Sequence, residues 1–179
     1  MKKIYIIRHC EAEGQAAEAK LTDRGMNQAA DLSEFFANKK VDRIISSPYK
    51  RAIKSVEPLA NHLNLEIEIE RKLSERVLST KSFPDWFEKI RTTYDDLELK
   101  FEGGESSQEA MKRIIEVVEK VFNSEDENTV IVTHGNIMSL LLTYYVKDFG
   151  FEGWRNLSNP DIFLLRNDDK KITYERVWG

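Results

Sequence analysis

Strand-length runs of apolar, often β-branched residues recur along this chain, and segments of helical length separate them. Lys3 to Arg8 and Thr129 to Thr133 are nearly continuous apolar runs, as strands buried on both faces require. Asp42 to Ser46 reads as a third strand. Between them, Thr22 to Asn38 carries Ala29, Leu32 and Phe36 at helical spacing, with Thr22 as the cap. Ser47-Pro48 reads as a cap followed by proline at the first helical position. The helix it opens has Ala52, Val56, Leu59 and Leu63 on one face. Ser106-Ser107-Gln108-Glu109 is a capping box, and Asn136 to Val146 has the length and composition of a further helix. Strands that alternate with helices predict an α/β fold: a three-layer α/β/α sandwich with a mostly parallel central sheet.

The remaining segments are less regular. Leu65 to Glu70 alternates apolar and acidic residues, which predicts an edge or half-exposed strand. Phe83 to Leu99 is aromatic and charged, with weak helical periodicity. Ile162 to Arg166 and Ile172 to Val177 read as two short strands joined by a turn at Asn167-Asp168-Asp169. No repeat or low-complexity linker interrupts the chain, and 179 residues suit one domain over 1–179.

Composition narrows the function classes. The hydrophobic fraction is 41% and the charged fraction 32%, as in ordinary globular proteins. A formal net charge of -4 argues against nucleic acid as a partner, so an anionic ligand would need a local cluster of cations. No apolar stretch approaches the length of a membrane span. The only cysteine, Cys10, allows no internal disulfide and no cysteine-based zinc site, which fits a reducing, cytoplasmic setting. The apolar run Ile4 to Ile7 is too short for a signal peptide.

Ligands of parallel sheets bind beyond the carboxyl ends of the strands. Three segments lie there: Arg8-His9, Ser46-Ser47 and Thr133-His134. Two of the chain's three histidines therefore fall at equivalent strand ends, one preceded by arginine and one followed by glycine. The third, His62, reads as a surface or capping residue at a helix end. Phosphoryl transfer accounts for the combination. A neutral imidazole attacks phosphorus without a metal, and the transferring group needs converging cationic donors. Arg8 and Arg51 offer planar forks suited to phosphate oxygens. Arg51 also lies in the first turn of its helix, where an anion is favoured. A proton donor for the leaving oxygen completes the requirement.

The motifs resemble those of the histidine phosphatase superfamily, which includes cofactor-dependent phosphoglycerate mutases, broad-specificity phosphatases and phosphohistidine phosphatases. The likeness is carried by Arg8-His9-Cys10-Glu11, Leu21-Thr22-Asp23-Arg24-Gly25, Ser46 to Ala52, Leu73-Ser74-Glu75, Gly103-Gly104-Glu105-Ser106 and Val132-Thr133-His134-Gly135, in family order. It implies that His9 is the nucleophile that becomes phosphohistidine. It implies that Arg8, Arg51 and His134 bind the phosphoryl oxygens, and that Glu75 is general acid and then base. His134 thus belongs to the catalytic set as well. Gln15 would join the phosphate-binding set, and Ser47 would orient His9 or line the pocket. Gly103-Gly104-Glu105 would form a loop near the phosphate mouth. No metal and no nucleotide cofactor is implied. The expected partner is a small phosphorylated metabolite or a phosphoprotein.

The chain departs from the family pattern near the nucleophile. Cys10 stands where glycine is usual, Gln15 where asparagine is usual, and Ala12 where threonine or serine is usual. Cys10 is either an inert buried thiol or a redox-sensitive one in an electropositive site. Phe83, Trp86, Phe87 and Tyr94 suit helix packing, and some of them are expected to wall the entrance. A mutase is the main rival reading. It must hold two substrate phosphates and exclude water, and only Arg76 to Glu102 is available for that. The other rival is a non-catalytic phosphate-binding regulatory module on the same fold.

Overall fold

A computed structural model describes all residues, 1–179. In chain order the elements are β1 (Lys2–Arg8), α1 (Asp23–Phe35), β2 (Arg43–Ser46), α2 (Lys50–Leu63), β3 (Ile67–Ile69), α3 (Trp86–Asp95), α4 (Ser107–Phe122), β4 (Asn128–Thr133), α5 (Gly135–Tyr145), α6 (Gly150–Arg155), β5 (Asp161–Asp168) and β6 (Lys171–Arg176). The six strands form one sheet in the order β3-β2-β4-β1-β5-β6. The pairs β3–β2, β2–β4 and β4–β1 are parallel, while β5 and β6 add antiparallel to one edge.

Strand side chains alternate between faces, and each face is covered by a pair of helices. Ile4 and Ile6 of β1, with Ile131 of β4, pack against Ile114 and Val118 of α4 and Leu141 of α5. Tyr5 and Ile7, with Val130 and Val132, pack on the other face against Leu32 and Phe36 beside Val56 and Leu59 of α2. Burial on both faces is why β1 and β4 read as continuous apolar runs.

Local signals set several boundaries. Thr22 caps α1 by accepting a hydrogen bond from the Gly25 amide, and Ser106 and Glu109 form both bonds of the capping box. Four expectations are corrected. Ser47-Pro48 does not start α2, which begins at Lys50 with Tyr49 at the cap position. The Ser47 hydroxyl is drawn instead to His134, 2.8 Å away. The aromatic segment is helical only from Trp86 to Asp95, and α6 lies where no helix was expected. The last hairpin turns at Asp169-Lys170, not at Asn167 to Asp169, because Asn167 and Asp168 still pair with Ile172 and Lys171. Asp169 and Lys170 both have positive φ (47° and 69°), the backbone that tight two-residue hairpins need.

Register places the site. Arg8 lies beside Thr133 in the β1–β4 pair, and Ser46 beside Val132 in the β2–β4 pair. The residues that follow, His9, Ser47 and His134, therefore leave the sheet side by side.

Candidate active site

The His9 and His134 rings approach to 5.1 Å between centroids, although 125 residues separate them in sequence. His9 is held from three directions. Its carbonyl accepts from Asn159 Nδ2 at 3.0 Å, its Nδ1 lies 2.7 Å from the Cys10 carbonyl, and its Nε2 lies 3.2 Å from Arg51 Nε. A carbonyl can only accept, so Nδ1 carries the ring proton. Guanidinium can only donate, so Nε2 presents its lone pair. Burial, reinforced by the charges of Arg51 and Arg8, pushes the His9 pKa down to about 3, against the opposing pull of the Cys10 carbonyl. The imidazole is thus neutral, in one tautomer, with its outer nitrogen aimed at a cation.

Arg51 is 1% exposed and reaches from α2 to the His9 Nε2. Its Nη1 donates to the carbonyls of Gln15 and Ala16 at 3.1 and 2.8 Å. Arg8 donates from Nη1 to the Leu157 carbonyl at 3.2 Å. Its guanidinium lies across the first turn of α5. A Cβ on Gly135 would stand 2.8 Å from Arg8 Nε, so a larger residue after His134 would displace this guanidinium. His134 is fully buried and kept well below the usual imidazole pKa, first by burial and then by His9 and the surrounding arginines. Ser47 bonds His134, not His9, which corrects one of its two expected roles. Of five side-chain polar atoms buried without a protein partner, three lie at this site: Arg8 Nε, His134 Nδ1 and Asn136 Oδ1.

Glu75 sits at the N-terminus of α5. Its carboxylate accepts from the amides of Arg76, Asn136 and Ile137 at 2.8, 3.0 and 2.9 Å. That is the position where the unpaired amides and dipole of a helix favour an anion. The loop that carries Glu75 is braced by Arg113. This side chain donates to the carbonyls of Lys72, Ser74 and Glu75 and pairs with Glu105 at 2.6 Å. Arg113 was not singled out from sequence, because its targets are backbone carbonyls that no motif specifies. Glu105 is therefore a brace behind the Glu75 loop, and its carbonyl also accepts from Arg76 of the cavity wall. Gly104 packs on the Leu78 carbonyl, where a Cβ would come within 2.0 Å.

Gln15 is exposed and lines a cavity of about 420 Å³ together with Arg8, Glu75, Arg76 and Asn136. Leu78, Trp86, Ile90 and Trp154 complete its lining. A separate cavity of about 380 Å³ between α1 and α2 holds none of the site residues. Trp86 thus fulfils the expectation that an aromatic residue walls the entrance, whereas Tyr94 packs inward and bonds the Ser139 hydroxyl. Trp154 and Ile90 were not anticipated. Cys10 is fully buried, with its amide donating to Ser55 Oγ at 2.8 Å. Burial, aided by Asp31 and opposed by Ser55, pushes its thiol up to about 11, which favours the packing reading over the redox one.

The family model for the histidine phosphatase superfamily, branch 1, matches residues 4–177. The chain belongs to that superfamily. Among relatives of this histidine phosphatase is a Hydrogenobacter thermophilus protein provisionally named phosphoserine phosphatase 2. It is 27% identical over 190 residues, covering 97% of this chain and 93% of the relative. The mycobacterial glucosyl-3-phosphoglycerate phosphatase with inorganic phosphate superposes with a TM-score of 0.79 at 21% identity, covering 99% of this chain and 97% of that one. Bacillus stearothermophilus YhfR superposes with a TM-score of 0.78 at 19% identity, covering 99% and 96%. Phosphatase is thus the enzyme class of this chain, in line with the sequence motifs.

Proposed function

We propose that the protein hydrolyses small phosphomonoesters through a phosphohistidine on His9, with Glu75 as proton donor and no metal ion. One observation carries this reading: His9 is a neutral, single-tautomer imidazole whose Nε2 lone pair faces Arg51 at 3.2 Å. No proton has to be removed before attack. Nε2 bonds to phosphorus as the bond to the alcohol oxygen breaks. The Arg51 Nε–H that now meets Nε2 turns to a phosphoryl oxygen, joined by Arg8 and His134. Gln15 and Ser47 have supporting parts, Gln15 at the cavity wall and Ser47 in orienting His134.

The leaving alkoxide takes a proton from Glu75. Water then attacks the phosphohistidine, Glu75 accepts its proton, and phosphate departs. For the mutase alternative a second phosphate needs a second free cation. The other arginine of the cavity, Arg76, already donates from all three nitrogens to Glu105 and Ser107.

The test is rapid quench with labelled substrate. An acid-labile, base-stable phosphoenzyme is expected in wild type and absent in His9→Ala. Full turnover by His9→Ala would refute the assignment.

A further inference from the structure

The apolar part of the cavity wall bears on the alcohol that the enzyme releases. Trp154 of α6 is fixed in an aromatic cluster, with centroids 5.6 Å from Phe151, 6.2 Å from Phe87 and 6.5 Å from Tyr94. Tyr94 is in turn bonded to Ser139 of α5, the helix that also holds Glu75. The wall is therefore tied to the catalytic framework. Trp86 is different. It stands at the rim with 51% of its surface exposed and packs only one ring, Phe87, at 5.8 Å. Together with Trp154, Ile90 and Leu78 it gives the cavity an apolar wall, the kind of surface that ligand sites present.

The charges around the cavity point the same way. Arg76 is the one further cation lining it, and its Nε, Nη1 and Nη2 are all engaged by Glu105 and Ser107. The lining carboxylate, Glu75, is engaged by three amides. A carboxylate on the alcohol would thus find no unengaged arginine beyond the phosphate site, only the two N–H groups that Arg76 has left and the amides of Gln15 and Asn136. A substrate with an apolar ring would instead remove that ring and Trp86 from water together.

From this wall we infer that the preferred substrate class is a phosphomonoester of an apolar, ring-bearing alcohol, and not of an amino acid or a second anion. The inference rests on the phosphatase reading above. It deepens that reading by assigning Trp86, Trp154 and Ile90 to leaving-group recognition.

The test compares 2-phenylethyl phosphate, ethyl phosphate and O-phosphoserine on the full chain, following phosphate release. The three leaving alcohols are alkyl alcohols, so their differences report binding more than chemistry. The kcat/KM for 2-phenylethyl phosphate should exceed that for each of the others by about tenfold or more. Trp86→Ala should narrow the phenylethyl-to-ethyl ratio by about fivefold. Ile90→Ser should narrow it in the same direction, with thermal melting confirming that both variants fold. A phosphoserine preference, or a ratio unmoved in both variants, overturns the substrate class. If 4-nitrophenyl phosphate is still hydrolysed in that case, the phosphatase reading survives it. If none of the four esters releases phosphate, both readings fall together.

Discussion

The buried neutral state of His9 makes the stability of this enzyme depend on pH in a way that one substitution should remove. In the unfolded chain a histidine titrates near 6.5, whereas His9 in the fold titrates near 3. Between these values the unfolded state binds more protons than the native state, so stability rises with pH across that window. The contribution is fully present above about pH 6.5 and is lost as pH falls toward 3. From pH 7 to pH 5 the loss from His9 alone comes to about 2 kcal/mol. Any folded value below about 4 gives nearly the same figure, because the native site stays unprotonated throughout the interval. His134 shifts in the same direction and adds to the total. The assay is urea unfolding at pH 7 and pH 5, in phosphate-free buffer so that ligand linkage does not intrude. Wild type should lose about 2 kcal/mol more over this interval than His9→Gln. The carboxylates common to both proteins cancel in that difference. Losses that agree within about 0.5 kcal/mol would show that His9 is not held neutral by its surroundings, and the argument for a ready nucleophile would fail with it.

Other outcomes follow from the same geometry. Glu75→Gln should slow hydrolysis of an alkyl phosphate by about a hundredfold and that of an activated aryl phosphate far less, since only the poor leaving group needs a proton; equal slowing would move the acid role elsewhere. Activity should persist in excess chelator, because Arg8, Arg51 and His134 supply the donors that a metal would otherwise provide. Dependence on added magnesium or zinc would contradict this. Cys10 should resist iodoacetamide in the native protein at pH 8 and react only on unfolding, given full burial and a thiol pushed up to about 11. Labelling at the rate of a free thiol would restore the redox reading.

Much of this site can be read from the sequence, for a physical reason. His9 and His134 follow strands buried on both faces, and such strands announce themselves as continuous apolar runs. Their register then brings the next residues together. Arg51 follows from its place in the first turn of α2. What cannot be read is any side chain whose partners are remote. Ser47 carries the local signal of a helix cap, yet its hydroxyl is claimed by His134, 87 residues away. Arg113 binds backbone carbonyls of residues 72, 74 and 75, which have no sequence signature. Trp154 lies on α6, a helix of six residues with two glycines, too short and too glycine-rich for periodicity to reveal.

The strand order has a consequence for how such a chain is made. β1 is made before the rest of the sheet, but its neighbours, β4 and β5, are residues 128–133 and 161–168. The early-made β2 and β3 pair with each other and not with β1. Until β4 slides between them, a strongly apolar strand waits with both edges bare, the condition under which nascent chains stick to one another. β4 is thus a keystone that arrives late, and a ribosome stalled before it would hold a chain with neither a complete sheet nor the second histidine of the site. Loop closures over more than a hundred residues also make assembly slow. In a cell, the yield of active enzyme should therefore respond to translation rate and to holdase chaperones more strongly than its equilibrium stability alone would suggest.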